Sequence, residues 1–352
     1  MFQESGERMK KWLKKYLIWF AILLFVAVGF LWPLPKYIEG PGDAANLSKI
    51  VNIQNHPDKR PGQFMLMSVS ISQARPFTYL YAKLSPYYSI EPEEDVTGGQ
   101  DMKEYSKVQQ IYMDGSINSA IYTAYRQAHK AVKIKYHGIY VMSLMKNSNF
   151  KNQLAVGDVV IALNGHRFKS SIGFIKYVRQ QKYGQKLTVT YKRHGKLHQA
   201  VAPLGMIAKH RAGIGITLTD DVQVEPKIPI KVHPGQVGGP SGGLMFALQI
   251  YSQLTNKDLR HGQKVAGTGT VDGLGNVGEI GGIDKKVITA KKHGAKIFLA
   301  PYVKPTKTIL KYEEDHQTNY QLAKATAKKY APSMKVIPVK TFNQAVSVLG
   351  KN

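Results

Sequence analysis

A serine at the start of an apolar helix, and a lysine about 45 residues further on, are the residues of this chain best suited to covalent chemistry. Ser241 lies in Gly239-Pro240-Ser241-Gly242-Gly243, after the Gly-rich loop His233 to Gly238 and before the apolar run Leu244 to Leu254. A helix start leaves backbone N–H groups without intrahelical partners, at the positive end of the dipole. Such a site can hold an oxyanion, and the flanking glycines let a carbonyl approach the backbone closely. Taken alone, the pentapeptide equally suits a glycine-rich turn with a capping serine.

The lysine lies in Gly281-Gly282-Ile283-Asp284-Lys285-Lys286-Val287. Asp284 reads as a helix N-cap, with the helix running to about His293 and Gly294 as its stop. At about 100° per residue, Ile283, Val287 and Ala290 form one apolar stripe. Lys286 falls about 70° from its centre and Lys285 roughly opposite, so Lys286 is the lysine expected to be partly buried. Burial disfavours the ammonium and frees the amine to act as a general base. A serine–lysine dyad needs that base. Lys285, Lys291 and Lys292 read as solvated surface charges.

These segments resemble Lon-type serine peptidases. Gly-Pro-Ser-Gly-Gly looks like the family's nucleophile segment. Gly267-Thr268-Gly269-Thr270-Val271-Asp272, then Gly275-Asn276-Val277-Gly278-Glu279-Ile280-Gly281-Gly282-Ile283, resembles its second block. The resemblance implies Ser241 as nucleophile and Lys286 as its base, with Thr268 hydrogen-bonding near the lysine. Gly239, Pro240 and Gly242 then belong to the oxyanion or dyad environment. The position after the serine is often alanine in ATP-dependent members and is Gly242 here. Lon-type domains often form hexameric rings, so a homo-oligomer is implied by analogy.

Other chemistries find less support. Gly239 to Gly243 also fits G-x-S-x-G, but a Gly- and Pro-rich loop precedes the serine, where an elbow would follow a β-run. Ser143-Leu144-Met145-Lys146 matches S-x-x-K without its companion motifs. The chain has no G-x-x-x-x-G-K-[ST], so cleavage without nucleotide is expected. No H-E-x-x-H or other metal spacing occurs among the histidines, so no metal and no cofactor is expected.

The elements that must position this chemistry extend over 352 residues, enough for several domains. The net charge of +26 invites a nucleic-acid reading, but the basic residues are scattered and carry no nucleic-acid motif, so none is expected as partner. Anionic lipid or cell-wall polymer is the better match for such charge at a membrane. There is no cysteine, hence no disulfide framework. Residues 1–15 carry Arg8, Lys10, Lys11, Lys14 and Lys15 against Glu4 and Glu7. Tyr16 to Pro35 has no charge and is long enough to span a bilayer, with Trp12, Tyr16 and Trp32 as interface anchors. Trp32-Pro33-Leu34-Pro35 suits signal-peptide cleavage poorly, so 16–35 reads as an uncleaved signal anchor. Its basic flank stays cytoplasmic and the rest faces outward.

Residues 36–130 form an N-terminal ectodomain segment without evident chemistry. Gln63 to Ile71 reads as a strand, Pro76 to Leu84 and Ile117 to Val132 as helices, and Asp95–Gln100 as a loop. Within 131–205, Leu154, Gly157, Asp158, Val160, Ile161, Asn164 and Gly165 resemble a PDZ domain. A PDZ groove takes an extended peptide as an added strand, and the family pattern implies Gly138, Ile139, Tyr140 and Val141 as the docking edge. Residues 206–352 alternate strands and helices as an α/β (α+β) layer. The expected architecture is thus multidomain: a transmembrane helix, a β-rich PDZ domain and a Lon-type proteolytic domain. It resembles the membrane-anchored PDZ–Lon-like peptidases of Gram-positive bacteria. The implied function is ATP-independent cleavage of extracytoplasmic peptides or unstructured segments. The rival class is a catalytically inactive PDZ-based membrane scaffold that binds peptides.

Overall fold

Helix α1 (Phe2–Leu31) stops two residues before Pro33, whose ring disfavours helical backbone in the residue before it. The computed structural model describes residues 2–209 and 211–351. They divide into two compact units, Met1–Asp43 with Val69–Gly99, and Ala44–Ser68 with Gln100–Asn352.

In the first unit, Trp12–Leu31 of α1 is long and apolar enough to cross a membrane, and it is almost entirely exposed. The run expected to span from Tyr16 to Pro35 therefore starts earlier and ends at Leu31. Helix α2 (Pro76–Leu84) carries proline in its first turn, where no N–H is needed. Lys36–Glu39 pairs antiparallel with Ser89–Pro92. The loop expected from Asp95 begins inside a short helix, Glu93–Thr97, which Gly98 ends at φ +63°.

The long helix of the second unit is α3 (Met102–Gln127). It begins well before the expected Ile117, because Asp101 accepts from the N–H groups of Lys103 and Glu104 and caps it. Five antiparallel strands follow: β1 (Val132–Leu144), β2 (Val159–Leu163), β3 (Lys186–Arg193), β4 (Lys196–Pro203) and β5 (Ile216–Pro226). Their order is β5-β1-β2-β3-β4, and helix α4 (Ser171–Arg179) joins β2 to β3. The boundary expected at 205/206 therefore cuts through one sheet, since β5 pairs with β1 along its length. Asp158, 1% exposed, accepts from Arg193 Nε at 2.8 Å and Nη2 at 2.6 Å, and from the Ala155 N–H at 2.8 Å. That pairing explains an aspartate at the foot of an apolar strand.

A parallel layer completes the unit. Gln63–Leu66, β6 (Lys264–Gly267), β7 (Ile297–Pro301) and β8 (Lys335–Val339) lie side by side in that order. Both faces are covered, as parallel sheets require. Phe64, Leu66, Val265 and Leu299 face one core with helix α5 (Gly243–Thr255). Met65, Ala266, Phe298 and Ala300 face a second core with helix α6 (Ile283–Lys292). Part of the segment 36–130 belongs to this unit. It supplies the strand beside β6, and α3 packs on α5.

Candidate active site

Three segments meet at the carboxyl end of β6, where open α/β sheets place their sites. Thr268 follows β6 directly, Ser241 lies two residues before α5, and Lys286 sits in the first turns of α6. Helix α5 is buried from Gly243 to Leu254, which fixes its start against the sheet. Helix α6 begins one residue before Asp284. Gly282 is its N-cap at φ +64°, a conformation glycine takes without strain, so Asp284 lies inside the first turn rather than capping it.

The Lys286 amine is 2.9 Å from Ser241 Oγ and 3.4 Å from Thr268 Oγ1. Thr268 Oγ1 donates to the Ser241 carbonyl at 3.0 Å, and the Gly269 N–H donates to the same oxygen at 2.8 Å. Lys286 is 3% exposed and Thr268 1%. The three side chains singled out in the sequence thus lie together in the fold. Sequence reading misread Lys285, which is 5% exposed and lies 2.9 Å from Asp284 Oδ2. A face that looks solvated on a lone helix is thus buried here.

Two neighbours of Ser241 hold the loop rather than an oxyanion. The Gly239 N–H donates to the Gln109 carbonyl at 2.8 Å. Pro240 has no N–H, and its carbonyl accepts from Ser116 Oγ at 2.8 Å. A Cβ on Gly242 would lie 2.6 Å from Leu66 Cδ1, and one on Gly243 would lie 2.9 Å from the Val271 nitrogen. The helix start is therefore packed too closely for larger residues without adjustment.

Helix α3 is the contributor that sequence reading missed. Besides Gln109 and Ser116, its Thr123 Oγ1 donates to the Asp272 carbonyl at 2.8 Å. Asn118 holds β5 by two bonds, donating to the Val222 carbonyl and accepting from the Val224 N–H. The buried residues Ser116, Ala120 and Ala124, spaced by four, mark a close-packing face that could have signalled this role. A cleft of about 390 Å³ runs between α3 and β5 to Pro240 and Val271, lined also by Tyr112, Tyr122 and Asp220.

Around the dyad two carboxyls are shifted in opposite directions. Burial pushes Asp272 up, but bonds from Asn276, Leu274 and Gly275 outweigh it and hold the carboxyl below its usual range. Burial also pushes Glu279 up. Its bond from the Asn319 N–H pulls the other way, and the facing Glu313 adds to the rise, so that it titrates at about 7.

The expected docking edge lies elsewhere. Gly138, Ile139, Tyr140 and Val141 are on β1, which pairs with β5 on one side and β2 on the other. Strand β5 is the end strand of that sheet. Beside it a groove of about 300 Å³ opens toward α4, lined by Phe174, Ile175, Val178, Ile214, Ile216 and Leu218.

Comparison with known proteins gives two family matches. Residues 104–204 match the PDZ domain, and residues 171–325 match the Lon protease (S16) C-terminal proteolytic domain. A Lon protease from Porphyromonas gingivalis is 31% identical over 139 residues, 39% of this chain and 16% of that protein. One from Desulforamulus reducens is 31% identical over 124 residues, 32% of this chain and 15% of that protein. The chain thus spans only about 16% of the length of the curated relatives it matches. The solved PDZ domain of the SdrC-like protein from Listeria monocytogenes is 39% identical, covering 24% of this chain and 92% of that chain, with a TM-score of 0.24.

Proposed function

From a chain that carries a PDZ domain and a Lon-type proteolytic domain, we propose a membrane-anchored serine endopeptidase that works without nucleotide. The observation that carries this reading is the 2.9 Å separation of the Lys286 amine and Ser241 Oγ, with the lysine 3% exposed. Burial removes most of an ammonium's hydration, and two hydroxyls lie beside the amine. The neutral amine takes the Ser241 proton, and Oγ attacks the scissile carbonyl. Backbone N–H groups at the start of α5 face the developing oxyanion. Lys286 then gives its proton to the leaving amine, and the acyl-enzyme is hydrolysed by water that Lys286 deprotonates. Thr268 holds the Ser241 carbonyl and so fixes the nucleophile's backbone.

The substrate is an extended peptide or an unstructured segment, since the chain carries no motif of a nucleotide-driven unfoldase. Helix α1 anchors the protein, with its basic end inside and the remaining residues outside. The PDZ groove takes a peptide along the open edge of β5, opposite α4.

The test is peptide cleavage by the full-length protein in nanodiscs, without ATP. Wild type is compared with Ser241→Ala, Lys286→Ala and Lys291→Ala, the last altering an exposed lysine of the same helix. Loss in the first two alone supports the dyad. An inactive wild type that still binds peptides, and does not react with a serine-directed probe, moves the reading to a scaffold.

A further inference from the structure

Helix α2 has two apolar faces, and the fold buries only one. Ala82 is buried in a small core with Ile38 and Ala74, and Tyr79 packs against it. On the other face Phe77, Leu80, Tyr81 and Leu84 follow i, i+3, i+4, i+7 spacing and form a single stripe. Three of them stand in the open: Leu80 is 55% exposed, Tyr81 63% and Leu84 77%. An exposed apolar stripe of this kind marks a contact surface.

The fourth residue says what covers it. The Phe77 ring lies edge-on to Phe25 at 5.4 Å and to Phe30 at 4.9 Å, both on α1. Gly29 makes room for it, since a Cβ there would come within 2.5 Å of the ring. Phe25 is six residues before Leu31, about 9 Å along the helix. If Trp12–Leu31 crosses a bilayer, Phe77 sits at the outer edge of its hydrocarbon, and the stripe that continues from it enters the same layer. The flanks agree. Arg75 and Lys83 are exposed at the two ends of α2, where their stems can lie on apolar surface and their charges reach lipid phosphates. Tyr81 and Tyr87 have the amphipathic rings that favour membrane interfaces.

We propose that α2 lies in the outer interface of the lipid bilayer and forms a second membrane contact beside α1. This rests on the reading of α1 as a membrane anchor. The chain has no cysteine, so a single introduced cysteine reports from one place. The full-length protein would carry an environment-sensitive fluorophore at Leu80→Cys, Leu84→Cys or Ile22→Cys, in vesicles of phosphatidylcholine and phosphatidylglycerol. We expect the labels at 80 and 84 to be quenched by lipids brominated near the headgroup and shielded from aqueous iodide. The label at 22 should be quenched by lipids brominated deep in the chain. If position 22 is lipid-quenched while 80 and 84 remain open to iodide, the proposal is overturned and the anchor stands. If all three are open to iodide, the anchor reading falls and the α2 contact falls with it.

Discussion

The catalytic segment and the five-stranded sheet were read from motifs of similar length, yet their sites differ in how they are made. At the dyad, the chemistry resides in side chains: one amine, two hydroxyls, brought within 3.4 Å from three segments. In the sheet, the docking edge is backbone, and any strand has backbone to offer. A side-chain site can be located from residue identity. A backbone site depends on which strand ends up at the edge, and here β5, from beyond the expected boundary, is the end strand while β1 is interior. One change should separate the regions most sharply. Lys286→Arg puts a permanent cation where the base must be neutral, and we expect at least about 10³-fold loss of cleavage with the fold kept. Peptide binding to the β5 groove should not change. Cleavage rates and peptide titration on the same sample check both halves.

A matched pair of ion pairs tests the regions for stability. Arg260 is 1% exposed and grips Asp58 with Nη1 at 2.6 Å and Nη2 at 2.5 Å. Gln249 of α5 donates to the same carboxylate at 2.9 Å, so the pair braces the catalytic helix. Burial pushes Asp58 up, but the Arg260 and Gln249 bonds prevail and hold it below its usual range. Asp58→Ala leaves a buried guanidinium unpaired and should cost about 3–5 kcal/mol. The side chain of Arg193, the partner of Asp158, keeps 34% of its exposure. Water can take over part of its solvation, and Asp158→Ala should cost about 1–3 kcal/mol. Urea unfolding of the two variants decides whether the order holds; the reverse order would mean that the sheet, not α5, sets the stability of this unit.

The parts legible in the sequence follow the same division. Ser241, Thr268 and Lys286, which the fold brings together, stand out in the sequence because glycine spacing and residue type restrict both conformation and chemistry. The helix Asn319–Tyr330 and the strand Lys335–Val339 were found because their apolar periods are regular. Along strand β5, Thr219, Asp220 and Asp221 interrupt the apolar pattern, so one long strand is hard to see in the sequence. In the fold Asp220 accepts from the Ser171 N–H at 2.6 Å, and its neighbour Asp221 lines a cleft with Tyr140 and His137. Helix α3 was read short for a related reason. Its first half is polar, and only Asp101 announces the start. Lys285 shows the limit of helical wheels, which place a residue on a face without knowing what covers that face.

A smaller effect belongs to the groove. Ile175 on α4 lines it and faces the open edge of β5 across it. Ile175→Glu should weaken binding of a peptide ending in an apolar residue by about 10-fold. Cleavage of a short peptide that does not need the groove should be unchanged. A change at Gly138 or Val141 would act on folding instead, because β1 is interior and a Cβ on Gly138 would lie 2.4 Å from the Val160 carbonyl. If binding survives Ile175→Glu, the groove beside α4 is not where peptide docks.

The smallest effect expected is a pH dependence in the catalytic region. Glu279 titrates at about 7 in the folded protein, against an ordinary value of 4.5. A carboxyl raised in this way favours folding while protonated. Its contribution is complete below about pH 4.5 and is lost as pH rises to about 7. Glu313 supplies part of that rise through its charge and its bond to Glu279. Glu313→Gln removes the like charge, so Glu279 should titrate lower and ionise in the fold at less cost. Thermal melts of wild type should therefore fall between pH 5 and 8 relative to the variant, by about 1–3 °C. The difference should close at low pH, where Glu279 is protonated in the folded and the unfolded state alike. A difference that persists unchanged at low pH would show that Glu313 acts through packing rather than charge, and that burial alone raises Glu279.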